Sequence, residues 1–290
     1  MQCFDRNHLV FSTLVVESKR FWNNPSADGI RCHVRMKVPS ILYRVYERYL
    51  LHQVKSGPKP HHSGLIVDGN RRFAKTNGLP TLHHGHLAGS EKLESFLRWC
   101  FELDVKIVTL YGFSIENHRR SDDEVENLMF LIMQKFKEFQ VDPMIKEQSV
   151  RIRVLGRREN LSDAMNAEID KVELMTQDHD QFHLNIAISY GGRAEIIDAV
   201  KKIACEIEQG QLHVEDVDED LFARYLYTEG MTDPDLIIRT SGEERLSGFL
   251  LWQSAYSELY FTEVFWPAFR RIDFWRAMRV WQQRERRFGK

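Results

Sequence analysis

The chain has 290 residues, 43% of them hydrophobic, with forty Lys and Arg against forty-two Asp and Glu. That is apolar content enough for one large α/β domain or two small ones, and it excludes a chain disordered as a whole. The near balance of charge leaves no footprint for nucleic acid as the main partner.

Four cysteines, Cys3, Cys32, Cys100 and Cys205, are scattered without a CxxC pair or metal-ligand spacing, which fits a reducing, cytoplasmic compartment. No apolar run approaches the roughly 20 residues that span a bilayer, and the N-terminus lacks the basic-then-apolar order of a secretory signal. A soluble or peripheral protein is expected.

Residues 1–35 show no period and read as an irregular extension. In residues 36–60 the apolar Ile41, Leu42, Val45, Leu50 and Leu51 alternate with Arg44, Glu47 and Arg48 at near-helical spacing, so Ile41 to Val54 reads as an amphipathic helix. Gly57-Pro58-Lys59-Pro60 breaks it. Residues 61–290 then form one domain in which short apolar or β-branched runs alternate with longer helical patterns. Strands are predicted at Gly64–Val67, Lys106–Tyr111, Arg151–Leu155, His183–Ser189, Leu236–Arg239 and Leu259–Phe261. Helices are predicted at Gly89–Glu102, Asp123–Phe139, Ser162–Gln177, Ala194–Gln209 and Glu219–Leu226. Strands separated by helices imply right-handed crossovers and a six-stranded, mostly parallel sheet flanked by helices. Phosphate-bearing ligands then belong at the carboxyl ends of the strands.

The first strand empties into Asp68-Gly69-Asn70-Arg71-Arg72. A glycine lets backbone approach an anion, guanidiniums neutralise diphosphate oxygens, and a lone carboxylate holds Mg²⁺ through that diphosphate. A solvated turn that caps the next helix accounts for Asp-Gly-Asn equally well. The second strand leads into Gly112-Phe113-Ser114-Ile115-Glu116-Asn117-His118-Arg119-Arg120, with Ser121 placed to cap the helix that follows. The fourth ends at Gly191-Gly192-Arg193, where close packing is the favoured explanation. The fifth delivers Arg239 and Arg245 with Ser247 beyond them, a clamp for a second phosphorylated ligand or a surface salt-bridge loop. Several parallel strands that each place Arg, Asn or Ser on one rim favour two phosphate sites, and hence two phosphorylated substrates.

From about His61 to Gly289 the sequence resembles the cis-prenyltransferases, the undecaprenyl and dehydrodolichyl diphosphate synthases. The resemblance is most like the archaeal-type enzymes. It rests on VDGNRRFAK, GFSIENHRRS, LNIAISYGGR, DLIIRTSGEERLSGFLLWQSAYSEL and RERRFG in that order. It implies a transferase that condenses isopentenyl diphosphate onto an allylic primer, geranylgeranyl or farnesyl diphosphate, giving a product of about undecaprenyl length that serves as a glycosyl carrier lipid precursor. Mg²⁺ is the implied cofactor. By resemblance, Asp68, Asn70 and Asn117 are catalytic. Gly69, Asn70, Arg71, Arg72, His86, Ser114, Asn117 and Arg120 surround the allylic diphosphate. Arg239, Arg245 and Ser247 hold isopentenyl diphosphate, together with Arg287 and Gly289 reaching in from a second copy of a homodimer. Asp68 and Glu258 share the metal. Two departures from the family pattern are Val67, where methionine is usual, and His118, where an aromatic is expected and which bears on the floor of the substrate site.

The resemblance also implies an apolar product tunnel. Leu128, Phe130, Leu131, Met133, Phe136 and Phe139 are its candidate wall, although plain core is the commoner meaning of such a face. For the N-terminal helix, packing is slightly favoured over peripheral membrane contact. Two other readings stand beside this one: a nucleotide-using doubly wound enzyme, opposed by the absence of GxGxxG and GxxxxGK[ST], and a non-catalytic scaffold subunit, opposed by the intact arginine and acid set.

Overall fold

A computed structural model describes residues 40–284; residues 1–39 and 285–290, including Arg287 and Gly289, lie outside the described residues. The chain divides after Tyr43, and everything below concerns the unit that begins at Arg44.

Six strands form one sheet: β1 (His62–Ile66), β2 (Ile107–Ser114), β3 (Val150–Leu155), β4 (Phe182–Tyr190), β5 (Leu236–Arg239) and β6 (Glu258–Phe261). Their order is β3-β4-β2-β1-β5-β6, and every pairing is parallel. Parallel strands are covered on both faces, which is why β1 and β5 are buried at every position, the polar His62 and Ser63 of β1 included. The chain moves from β1 to β2 in one direction and from β5 to β6 in the other. β1 and β5 therefore flank the point of reversal, where a crevice opens beyond the carboxyl ends.

The helices are α1 (Ser40–Ser56), α2 (Asn70–Thr76), α3 (Leu82–Leu103), α4 (Asp122–Val141), α5 (Pro143–Glu147), α6 (Asp163–Thr176), α7 (Gly192–Glu208), α8 (Glu219–Arg224) and α9 (Arg271–Gln282). Every expected strand and helix is present. Three helices were not expected. α2 is too short to show a period, α5 is one turn started by Asp142 and Pro143, and α9 buries apolar residues nearly all round, Ile272, Phe274, Trp275, Met278 and Trp281 among them. α3 also begins a full two turns before its expected start. Its glycines explain the extra length. A Cβ on Gly85 would stand 2.3 Å from the Asn70 carbonyl oxygen, and one on Gly89 would stand 2.5 Å from Asn70 Oδ1. Glycine here lets α3 lie directly on the loop that carries Asn70.

Within the unit, the later part of α1 buries Leu50 and Val54 completely. Gln282 Nε2, at the end of α9, donates to the carbonyls of Val54 (2.9 Å) and Pro58 (2.6 Å), tying helix and linker down. Among the described residues no helix is long and apolar enough to cross a membrane.

Candidate active site

A cleft of about 1140 Å³ lies over the carboxyl ends of β1, β2, β4 and β5. Its wall carries eight Arg and Lys side chains and three carboxylates among the described residues, so the field inside favours a multiply charged anion.

Asp68 stands two residues past β1. The turn is held from both directions: the Thr240 hydroxyl accepts from the Asp68 amide (2.9 Å) and donates to the Asp68 carbonyl (2.7 Å). Gly69 adopts φ +102°, and a Cβ there would meet Phe265 and Ser241 at 2.8 Å, so glycine is required twice over. These contacts leave the carboxylate about one-third exposed (35%) towards the cleft.

The two phosphate sites expected from the sequence are joined. Arg239, 4% exposed, donates from Nη2 to Asp68 Oδ2 at 2.9 Å and from Nη1 to Ser247 Oγ at 2.8 Å and to the Arg245 carbonyl. Register explains the meeting, because Ile66 pairs with Arg239 at the ends of β1 and β5. Arg239 Nε is buried without a hydrogen-bond partner. Arg245 reaches outward to Glu243 at 2.5 Å, and Glu243 also meets Arg72 at 3.2 Å. Arg72 donates to Ser241 Oγ at 2.5 Å. Two carboxylates, Asp68 and Glu243, and the guanidiniums of Arg72, Arg239 and Arg245 thus form a continuous charged floor.

A second hub was missed by the sequence reading. Glu124, in the first turn of α4, accepts from Arg120 at 2.8 Å and lies 3.4 Å from His86 Nε2 and 3.7 Å from Arg71. It draws α2, α3 and the loop before α4 onto one point. Burial, followed by the nearby Arg120, holds the His86 pKa below its usual value, against the pull of Glu124. Ser114 and Asn117 close a capping box, in which the Ser114 amide donates to Asn117 Oδ1 at 3.0 Å, and both line the cleft. Arg157 was also missed. It follows β3 by two residues, lines the cleft and is gripped by both oxygens of Asp198 at 2.7 and 2.8 Å. Gly192 serves the close packing expected of it, since a Cβ would lie 2.7 Å from the Gly248 carbonyl oxygen, while Arg193 faces the cleft.

Three expectations need correcting. Within one copy of the chain Glu258 does not join Asp68: it begins β6 level with Leu236 and hence with Ser63, five residues before Asp68. At about 3.3 Å per residue that is roughly 16 Å away, at the opposite end of the sheet. There Glu258 is paired with Arg284. His118 does not form the cleft floor; it packs edge-on against Phe113 and meets Ser189 Oγ at 3.1 Å. Of the candidate tunnel wall, Leu128, Leu131, Phe136 and Phe139 line a separate apolar cavity of about 110 Å³, whereas Met133 does not and Phe130 points to solvent. Asn70, His86 and Leu128 line both spaces, so the cavity adjoins the cleft.

Among the described residues no cluster of three His, Cys, Asp or Glu can cage a metal. A lone carboxylate beside a cationic floor suits instead a hard cation that arrives with a diphosphate, since Mg²⁺ is commonly held by one or two carboxylates plus substrate phosphates.

Sheet order, a cationic cleft at the strand ends and an apolar cavity adjoining it define an α/β enzyme for substrates with an anionic head and an apolar tail. Residues 66–289 match the family of undecaprenyl diphosphate synthases, and the chain belongs to that family of prenyltransferases. It is 50% identical over 262 residues, 90% of this chain and 99% of the relative, to a tritrans,polycis-undecaprenyl-diphosphate synthase (geranylgeranyl-diphosphate specific) of Pyrococcus abyssi. It is 52% identical over 254 residues, 86% of this chain and 96% of the relative, to an isoprenyl transferase of Thermus thermophilus. Among solved structures, lavandulyl diphosphate synthase from Lavandula x intermedia, in complex with dimethylallyl diphosphate, superposes with a TM-score of 0.75. It is 33% identical, with 80% of this chain and 99% of that chain covered. The resemblance seen in the motifs is therefore borne out, and the chain is a cis-prenyltransferase.

Proposed function

We propose that the enzyme adds isopentenyl diphosphate units to an allylic primer to build a cis-polyprenyl diphosphate of about undecaprenyl length. The observation that carries this is the direct Asp68–Arg239 pair where β1 and β5 end side by side, in a cleft that shares Val67, Asn70 and Leu128 with an apolar cavity. Geranylgeranyl diphosphate is the favoured primer, in line with the Pyrococcus relative's name, and farnesyl diphosphate is the alternative.

The allylic diphosphate rests on Arg71, Arg72, Arg120 and His86, with the Gly69 and Asn70 turn beneath it; isopentenyl diphosphate rests on Arg239, Arg245 and Ser247. Mg²⁺ held by Asp68 and diphosphate oxygens would neutralise charge on the leaving group. Heterolysis of the allylic C–O bond puts an electron pair on the departing diphosphate, where the guanidiniums already point. The π electrons of the isopentenyl unit form the new C–C bond, and loss of a proton from its neighbouring carbon leaves the new cis double bond. Holding both heads on one floor makes the encounter effectively unimolecular. Asn70 Oδ1, buried and unpartnered, sits where cleft and cavity meet and is available to accept a hydrogen bond from substrate. The tail enters the cavity lined by Leu128 and Phe136.

The working state in this reading is a homodimer, with Arg287 and Gly289 completing a neighbouring site. Glu258 supports that arm through Arg284. The reading places the enzyme in the cytoplasm, with peripheral contact where its lipid product, a glycosyl carrier precursor, leaves. Purified protein incubated with labelled isopentenyl diphosphate, Mg²⁺ and either primer is expected to incorporate label into polyprenyl products. Absence of polymer from both primers would overturn the proposal.

A further inference from the structure

Leu128, Ile132, Lys135 and Phe139 follow one another at i, i+4, i+7 and i+11 along α4, the spacing of a single helix stripe. All four line the apolar cavity. A lysine therefore occupies a place that the periodicity assigns to an apolar residue. Among the described residues it is the single Lys, Arg, Asp or Glu on that wall. Its side chain is 18% exposed, and its ammonium meets Glu138, which is 61% exposed. The aliphatic stem thus forms wall while the charged head reaches a carboxylate at the surface.

Position along α4 gives this lysine a meaning. The helix starts at the cleft, where Glu124 gathers Arg71, His86 and Arg120, and Leu128 lines both spaces. Lys135 lies seven residues beyond Leu128, about 10 Å further from the diphosphate floor at 1.5 Å per residue. At about 110 Å³ the cavity is smaller than one of about 150 Å³ that takes a single benzene. A lengthening tail must therefore push side chains aside. Leu131, Ile132 and Phe136 yield at no electrostatic cost. Covering the Lys135–Glu138 pair with hydrocarbon strips water from an ammonium and a carboxylate together, a penalty that their mutual attraction offsets only in part.

We propose that Lys135 sets the length of the product: elongation proceeds while the tail displaces apolar wall and stalls where the next unit must cover this ion pair. The inference rests on the synthase reading above and makes Lys135 a specificity-determining residue with no part in the bond-making step.

The test compares wild type with Lys135→Ala and Lys135→Met, each supplied with labelled isopentenyl diphosphate, Mg²⁺ and geranylgeranyl diphosphate. Product lengths are read by chromatography and normalised to total label incorporated. Both variants are expected to shift the most abundant product longer by an isoprene unit or more. The Ala shift should be the larger, because Met keeps the stem and removes only the charge. Unchanged or shortened distributions in both variants overturn the proposal, and a shift in Lys135→Ala alone overturns the role given to charge. A wild-type protein that incorporates no label would instead fail the synthase reading, so the two failures are distinguishable.

Discussion

The two ends of the sheet are built from the same strands and treat polar groups in opposite ways. At the carboxyl end, Asp68, Arg239 and their neighbours face an open cleft and keep bonding capacity in reserve, down to the unpartnered Nε of Arg239. Towards the amino end, polar groups spend that capacity internally. The Asp235 carboxylate accepts from the amides of His61 and His62 at 2.7 and 3.1 Å. The His62 ring bridges the Thr232 carbonyl (2.6 Å) and the Thr109 hydroxyl (2.7 Å). Because the carbonyl can only accept, Nδ1 carries the proton and Nε2 accepts from Thr109. One end is arranged for a ligand and the other for the fold, so substitutions at the two ends should separate activity from stability.

The largest effect is expected at the cleft. Asp68→Ala removes the carboxylate that anchors Arg239 and that, in the proposed function, would hold Mg²⁺ with the diphosphate, and kcat should fall by roughly 10³-fold or more. Thermal unfolding should change little, since the side chain is partly exposed and its backbone stays held by Thr240. A near-normal rate would break the contrast. Arg239→Lys keeps the charge and cannot reproduce three donations from a planar fork. It should lower kcat/KM for isopentenyl diphosphate roughly 10- to 100-fold, the worth of one charged hydrogen bond, and act mainly on KM.

His62 sharpens the contrast from the other end. Burial pushes its pKa down to about 4 from 6.5. Between those values the unfolded chain binds the proton that the folded chain refuses. The stabilisation is therefore fully present above pH 6.5 and lost as pH falls towards 4. The loss from this one group is on the order of 3 kcal/mol. His86, also shifted downwards, adds in the same direction. Denaturant titrations at pH 7 and pH 4.5 should show the decline, and His62→Gln should flatten it; an equal slope in that variant would refute the assignment.

The smallest effect is expected from Glu258→Gln. Glu258 lies at the amino end yet is paired with Arg284, three residues before Arg287. A several-fold rise in KM for isopentenyl diphosphate is expected, non-additive with that of Arg287→Ala because the proposed function routes both through one C-terminal arm. Fully additive effects would dissociate Glu258 from the arm.

Much of this layout was legible because function sits where strands stop. Apolar runs ending in Asp68-Gly69, Ser114 to Asn117 and Arg239 gave both the strands and the rim, since a parallel sheet collects such ends on one side. What stayed hidden depends on register and on distant pairing. Glu258 was placed beside the metal by the resemblance, and four residues of β6 carry no sign of which end faces the cleft of their own chain; only pairing with Leu236 shows it. Glu124 lies in a helix-start acidic run with Asp122 and Asp123, and its three basic partners come from two other helices and a loop. Arg157 hid behind Gly156 in a strand end with no further motif. Lys135 passed unremarked among the apolar residues of its helix, because only the cavity shows which of its neighbours share a wall with it.

The central claim is that one cationic floor joins two diphosphates while an apolar cavity receives the tail. Determining the length and double-bond geometry of the product formed from geranylgeranyl diphosphate, isopentenyl diphosphate and Mg²⁺ tests it most directly. The account predicts a long-chain polyprenyl diphosphate in which every newly formed double bond is cis. A product with new trans double bonds, or primer recovered unextended, would contradict it.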